Sequence, residues 1–429
     1  MIERDGDDMN AELKQLGLAI LAEELIPAMG CTEPIALAYA AAVGRELLDR
    51  EPDTVLVRAS GNIIKNVRCV QIPHSGGMHG IEAAVLLGAI GGDAARGMEV
   101  LTSVRATDAK RVGQMLDAAV CTVEYLESDV PLHFVIEEKS GDDVVTVEVR
   151  YSHMNIVRLT KNGDVIKEVT NGEQPGGTDR SALNMDKIKQ FADEIEIDEI
   201  RELFDRQIRY NMDIAYEGIS GDYGVGLGKI IRASYADSTV TRMKAYAAAA
   251  SEARMDGCDM PVIINSGSGN QGIASSVPII VYARENNMSR EKLYRALVFA
   301  ALLTVYQKEF IGKLSAFCGA VSASCAAGAA ITYLCGGSMA QIKATIDNTL
   351  ANIPGVICDG AKISCAAKIA SCVDASMMAH FLAMEQKEYQ AYTGILQEEV
   401  GETISCVGHI GKFGMKETDK EIVKLMLES

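Results

Sequence analysis

The chain has 429 residues and a mass of 46.0 kDa. That is enough to bury a large core and excludes a small fold held by disulfides alone. With 41 Lys and Arg against 59 Asp and Glu, the net charge is −18; so acidic a surface repels phosphate backbones and anionic lipid, so neither nucleic acid nor a membrane is an expected partner.

Residues 11–50 read as helix, with Leu13, Leu16, Ile20 and Leu21 at helical spacing, a break at Pro27-Ala28-Met29-Gly30-Cys31, and a second helix from Ile35 to Leu48. From Thr54 the pattern becomes strand-like. Thr54 to Arg58, Val120 to Leu126, Leu132 to Ile136, Val144 to Tyr151 and Ile156 to Leu159 are rich in β-branched residues, and several alternate apolar with polar. Asn162-Gly163 is a hairpin signal before Val165 to Val169. His79 to Ile90 and Asp108 to Ala118 read as helices in the same region. After the linker-like Gly172-Glu173-Gln174-Pro175-Gly176-Gly177, helices return from Thr178, interrupted by Gly-rich loops at 218–228, 266–272 and 355–360. Leu314 to Ile342 holds no charged residue, but it is built from Ala, Gly, Ser and Cys, a composition for closely packed helices rather than a bilayer span. The expected fold is α+β. A mainly helical catalytic body (1–50 and 173–429) carries an inserted mixed α/β domain (51–172).

The 11 cysteines are the feature that asks for chemistry. No apolar leader precedes residue 15, so the expected compartment is a reducing cytoplasm, where thiols stay free, metal-bound or catalytic. No Cys-x-x-Cys pair exists, which excludes zinc ribbons and bacterial-type ferredoxin runs. Cys318, Cys325, Cys335, Cys358, Cys365 and Cys372 include steps of seven, which place side chains on one helix face, where a thiol packs as a small hydrophobe. Context separates three. Cys358 lies in the Pro/Gly loop Ile353 to Gly360, Cys318 precedes Gly319, and Cys31 sits at a helix start, where the dipole and free amides favour a thiolate. Asn265 to Gly272, after the apolar Pro261 to Ile264, could cradle a carboxylate or phosphate, or form a plain turn. Its Ser268-Gly269-Asn270 repeats Ser60-Gly61-Asn62. His74 and His79 lie in a loop where a ring could face substrate or only cap a helix; His133 and His153 sit in strand patterns. There is no Gly-x-Ser-x-Gly or His-Glu-x-x-His, so the familiar hydrolases and zincins are not indicated.

Gly30-Cys31-Thr32-Glu33-Pro34-Ile35-Ala36, Ser60 to Asn66, Asn265 to Gly272, Cys318-Gly319-Ala320, Asn352 to Lys362, Cys365-Ala366-Ala367-Lys368 and Ile410 to Asp419 together resemble the L-cysteine desulfidase family. The late portion is more distantly similar to the catalytic part of bacterial iron–sulfur L-serine dehydratases. The resemblance implies an oxygen-sensitive [4Fe-4S] lyase, independent of pyridoxal phosphate, that turns L-cysteine into pyruvate, ammonia and sulfide. Carried over from the dehydratases, the cluster ligands fall on Cys318, Cys358 and Cys365, the last at a shorter spacing than theirs. Cys31 belongs to the desulfidase motif, as a base or a ligand. Ser60, Gly61 and Asn62, with Ser266, Gly267, Ser268, Gly269 and Asn270, would hold the substrate's carboxylate and ammonium, with Lys65 or His79 nearby. Two other readings stay open: the same cluster acting on L-serine, and a non-catalytic amino-acid-binding protein. A homo-oligomer is compatible with either.

Overall fold

Helix α1 (Ala11–Glu24) is capped by Asn10, whose side chain accepts from the Leu13 amide at 2.7 Å and so satisfies a donor that the first turn leaves free. The computed structural model describes residues 9–169, 177–312 and 314–428. A short strand β1 (Pro27–Met29) and helix α2 (Thr32–Leu48) flank the Gly30-Cys31 turn, where Gly30 has a φ of +59°. Next come β2 (Thr54–Ala59), α3 (Gly61–Val67), α4 (Gly80–Gly91) and α5 (Ala106–Asp117). Strands β3 (Cys121–Tyr125), β4 (His133–Ser140), β5 (Asp143–Arg150), β6 (Ile156–Lys161) and β7 (Asp164–Glu168) complete this part.

The sheet order is β3-β2-β4-β5-β6-β7, with β2 and β3 parallel and the other pairs antiparallel. The α3–α5 segment is the crossover that a parallel pair requires. Alternation in β4 and β5 buries Phe134, Ile136, Val145, Val147 and Val149 on one face. Asn162 and Gly163 turn between β6 and β7 with φ of +53° and +89°, the two left-handed residues that a tight hairpin demands.

Helix α2 lies on this sheet. A Cβ at Gly44 would come within 2.6 Å of Glu138 Oε2, and α4 crosses α2 so closely that a Cβ at Gly88 would meet the Ala38 carbonyl at 2.1 Å. Of the first fifty residues, then, α2 packs on the sheet, whereas Gly17 of α1 packs against Phe191 of the later helical part. Residues 172–176 of the linker-like stretch lie outside the described residues.

The helical part comprises α6 (Met185–Glu194), α7 (Ile197–Ser220), α8 (Leu227–Ser234), α9 (Thr239–Met255), β8 (Pro261–Ile263), α10 (Gly269–Glu285) and α11 (Arg290–Ile311). It continues with α12 (Ala320–Leu334), α13 (Met339–Asn352), α14 (Cys365–Met384), α15 (Val400–His409) and α16 (Lys416–Glu428). The α+β expectation is met. The uncharged 314–342 stretch forms α12 and the start of α13; α12 is buried nearly throughout, with Gly328 against Ser376 of α14. Among the described residues no helix is long and apolar enough to cross a membrane. One small joint links the two ends of the chain's first part and its helical part: β1 pairs antiparallel with β8, setting Pro27 opposite Ile263 and Met29 opposite Pro261. It brings the turn after β1, which carries Cys31, beside the loop after β8.

Candidate active site

Cys31 is the N-cap residue of α2 and is buried. The helix start favours a thiolate there, but two stronger effects oppose it. Burial first, and then the neighbouring Glu33 carboxylate, push the thiol far above its ordinary value, so it keeps its proton. That proton is donated to Glu33 Oε2 at 3.1 Å. Glu33 is itself fixed, accepting from Thr32 Oγ1 at Oε2 and from Asn66 Nδ2 at Oε1, each at 3.1 Å.

Arg254, near the end of α9, is 1% exposed. Its Nη1 donates to Asn270 Oδ1 at 3.2 Å, an oxygen that also accepts from Ser251 Oγ at 3.2 Å. Its Nε and Nη2 have no hydrogen-bond partner. Burial lowers its proton affinity, opposed by the charges of Cys31, Glu33 and Cys365 in that order and by a side-chain hydrogen bond with Cys31. Gly269 makes the approach feasible: a Cβ there would lie 2.3 Å from Arg254 Nε.

Cys318 and Cys358 meet across two antiparallel loop segments. The Cys318 amide donates to the Val356 carbonyl at 2.8 Å and the Cys358 amide to the Ala316 carbonyl at 2.6 Å, with Phe317 bridged to Ile357. The thiols interact, Cys318 acting as donor. That hydrogen bond leads in lowering the Cys358 thiol below its ordinary value, against the cost of burial, with Lys65, the Gly360 amide and Lys368 assisting. The same bond, with burial, raises Cys318. Cys365, first residue of α14, packs against the small cluster of Cys31, Val70 and Met255 and is raised by burial. Asp359 is held down to about 2: burial opposes this, but hydrogen bonds from Lys362 and Lys368 outweigh it. The four cysteines singled out in the sequence thus share one region, and all eleven are free.

The loop residues divide. Ser266 has a φ of +49° and donates to Asn265 Oδ1 at 2.8 Å; Gly267 has a φ of +78°; Ser268 is the N-cap of α10 and makes no side-chain cap. Gly319 abuts Gln271 in the first turn of α10, which ties this loop to Cys318. Ser60, Gly61 and Asn62 are committed elsewhere. Ser60 Oγ donates to the Pro131 carbonyl at 2.6 Å, Gly61 sits under Val423, and Asn62 Nδ2 donates to Asp419 Oδ2 at 2.7 Å. Lys65 is buried and pairs with Asp419 Oδ1 at 2.5 Å, and its carbonyl lies where a Cβ at Gly360 would approach to 2.2 Å, beneath the Cys358 loop. His79 is exposed at the start of α4, and no hydrogen bond or ion pair among the described residues joins it to the cysteines.

Sequence reasoning missed Glu33, Arg254, Lys308 and Asp419. Lys308 of α11 is buried; burial pulls its amine down to about 8, with Cys318 and Cys358 opposing. It lines a polar cavity of about 390 Å³ together with Ser266, Thr178 and Arg180. A cation following an Ala-rich run in α9, or a long apolar run in α11, was the available signal for Arg254 and Lys308. Among the described residues no three His, Cys, Asp or Glu side chains converge tightly enough to hold a single metal ion.

The family model described as serine dehydratase alpha chain matches residues 95–424, well over half of the chain and including Cys318, Cys358 and Cys365 but not Cys31. Similar proteins include a UPF0597 protein of Lachnoclostridium phytofermentans, 46% identical over 409 residues, 95% of this chain and 98% of the relative. A UPF0597 protein of Treponema denticola is 45% identical over 417 residues, 95% of this chain and 97% of the relative. One of Parabacteroides distasonis is 37% identical over 427 residues, 97% and 99% of the two chains. These relatives span the Cys31 and Ser60 motifs as well.

Proposed function

The chain belongs to the serine dehydratase alpha chain family, and on that premise we propose that it is an iron–sulfur lyase that eliminates sulfide from L-cysteine, leaving pyruvate and ammonia. The observation that carries the reading is the meeting of Cys318 and Cys358 on paired loops, with the Cys358 thiol held below its ordinary value. The donor set suits a [4Fe-4S] cluster. Thiolates are its ligands, and each attaches to a different iron, so they need not converge on one point as single-ion ligands do. Cys318, Cys358 and Cys365 would hold it, and when bound it supplies a Lewis-acid iron for the leaving sulfur.

The chain's own residues supply the rest. Cys31 passes its thiol proton to Glu33, along the hydrogen bond already in place, and the resulting sulfur takes the Cα proton. The Cβ–S bond breaks with its electron pair on sulfur, and the aminoacrylate left behind tautomerises and hydrolyses in water. Asn66 and Thr32 keep Glu33 in position, and burial of the whole group excludes water from the proton transfer.

Anaerobic purification with iron and sulfide reconstitution tests this. The expected result is a coloured protein that releases sulfide and pyruvate from L-cysteine; a colourless, inert protein under those conditions rejects it. Pyruvate from L-serine and not from L-cysteine would select the serine reading, which the description of the family model favours. Cys358→Ser is expected to lose the cluster, and Cys31→Ser to keep the cluster and lose turnover.

A further inference from the structure

We propose that Arg254 holds the substrate's carboxylate through its Nε–H and Nη2–H, over Gly269 at the start of α10. The inference deepens the lyase reading and rests on it, in that the ligand is taken to be an α-amino acid.

A guanidinium is always charged and offers its donors in a flat fork. In Arg254 one donor, Nη1, is spent on Asn270. The other two, Nε and Nη2, meet no oxygen acceptor of the chain, although the Cys31 thiol lies against the guanidinium; they lie on the same edge of the plane and point the same way, the spacing at which a carboxylate accepts with both oxygens. The side chain is 1% exposed, so bulk solvent does not reach these donors. Nor does a carboxylate of the chain reach them; the nearby Glu33 is turned to Cys31, Thr32 and Asn66. A buried cation with an unanswered fork is costly to keep, and an anion that enters and leaves answers it.

Two further features point the same way. Position 269 has no side chain, and any Cβ there would collide with Nε. That glycine opens a 17-residue helix whose N-cap serine makes no side-chain cap, so its first amides are left without that partner and favour an anion nearby. Cys31 is the thiol whose charge bears most strongly on Arg254. An amino acid held there by its carboxylate has its Cα one bond beyond the fork, next to the group that takes the proton.

The probe is L-alanine, which has no leaving group, compared with L-alaninamide, whose carboxylate is gone. Binding is measured by titration calorimetry on the metal-free and the anaerobically reconstituted protein. Wild type is expected to bind L-alanine at least about tenfold more tightly than L-alaninamide, because the amide leaves the fork unpaired. Arg254→Gln should lose at least about tenfold in L-alanine affinity with no change for the amide, and Arg254→Lys should recover part of it. Gly269→Ala displaces the fork while Arg254 remains, and should also lose L-alanine binding, which keeps the test decisive if the Arg254 variants fold poorly. Equal binding of the two probes by wild type, or wild-type affinity for L-alanine in Arg254→Gln, overturns the inference. Arg254-dependent L-alanine binding in a protein that makes no pyruvate would keep this inference and remove the lyase reading. Turnover without discrimination between the probes would do the reverse.

Discussion

Ser60-Gly61-Asn62 and Ser268-Gly269-Asn270 share three residues and one local shape. In each the serine takes extended dihedrals without capping and a helix begins at the glycine; the serine follows β2 directly in the first case and follows β8 after residues 264–267 in the second. Their surroundings differ. At the first corner Asn62 and Lys65 both bind Asp419, Gly61 sits under Val423, and Ser60 bonds to Pro131, so the charge here finds its partner inside the chain, and only the neutral Asn62 Oδ1 of these groups is left open. At the second, Asn270 steadies a guanidinium whose remaining donors are unanswered. The same three residues serve as a structural joint in one place and would form the wall of the proposed site in the other. What separates them is whether the fold brings a counter-charge or leaves one missing.

If that contrast holds, changes beside the second corner abolish chemistry while changes beside the first cost stability. The largest effect is expected for Cys318→Ser, next to the second corner through Gly319 and Gln271. Iron content after anaerobic reconstitution should fall by at least about tenfold and turnover should vanish, with the thermal transition of the metal-free protein little changed. Asp419→Asn at the first corner comes next. It leaves the buried Lys65 without its anion, at a cost of about 3–5 kcal/mol in denaturant unfolding, while L-alanine affinity stays within about twofold.

A third prediction concerns the sheet that carries the first corner. Glu138 is fully buried under α2 with neither carboxylate oxygen hydrogen-bonded, and burial, opposed by Arg45, raises it to about 8. The folded state therefore prefers the neutral acid. Its contribution to stability is complete below about pH 4.5, the ordinary value, and is lost as pH rises toward and through 8. Unfolding free energy should fall by a few kcal/mol, on the order of 1.4 per pH unit, across that window, and Glu138→Gln should flatten the slope. Unchanged pH dependence in the variant would refute this. The smallest effect is expected for Gly61→Ala, whose Cβ would sit 2.8 Å from Val423 Cγ1. It should cost about 1–3 kcal/mol by overpacking, without the loss of ligand affinity expected of Gly269→Ala. Equal loss at both corners would erase the distinction.

Much of the fold was legible because its signals are local. Alternation marks β4 and β5, and Asn162-Gly163 marks the hairpin with the two left-handed residues it requires. Helix α3 was missed: at seven residues it has too few turns to show a period, and its opening Ser-Gly-Asn reads as a loop. The β1–β8 pair was missed because three residues on each side pair across more than half the chain. In the site, Cys31, Cys318 and Cys358 stood out by their turn and helix-start contexts. Arg254 and Lys308 did not, since each lies within a regular helix and its role depends on what a distant segment fails to supply. The reverse holds for Asn62 and Lys65, which looked available in the sequence and are occupied by an aspartate 357 and 354 residues further on.

That last separation has a consequence for how the molecule is made. A ribosome exposes the Cys31 turn and α3 early, but the aspartate that pairs with Lys65 follows 354 residues after it. Closing so long a loop carries an entropic cost that nearby contacts cannot repay in advance. The Cys358 loop rests on the Lys65 carbonyl, so its seat shares a residue with that late pairing to α16. Loading of the proposed cluster would therefore follow that pairing, and a chain shortened before Asp419 would emerge with its thiols present and Lys65 without its anion.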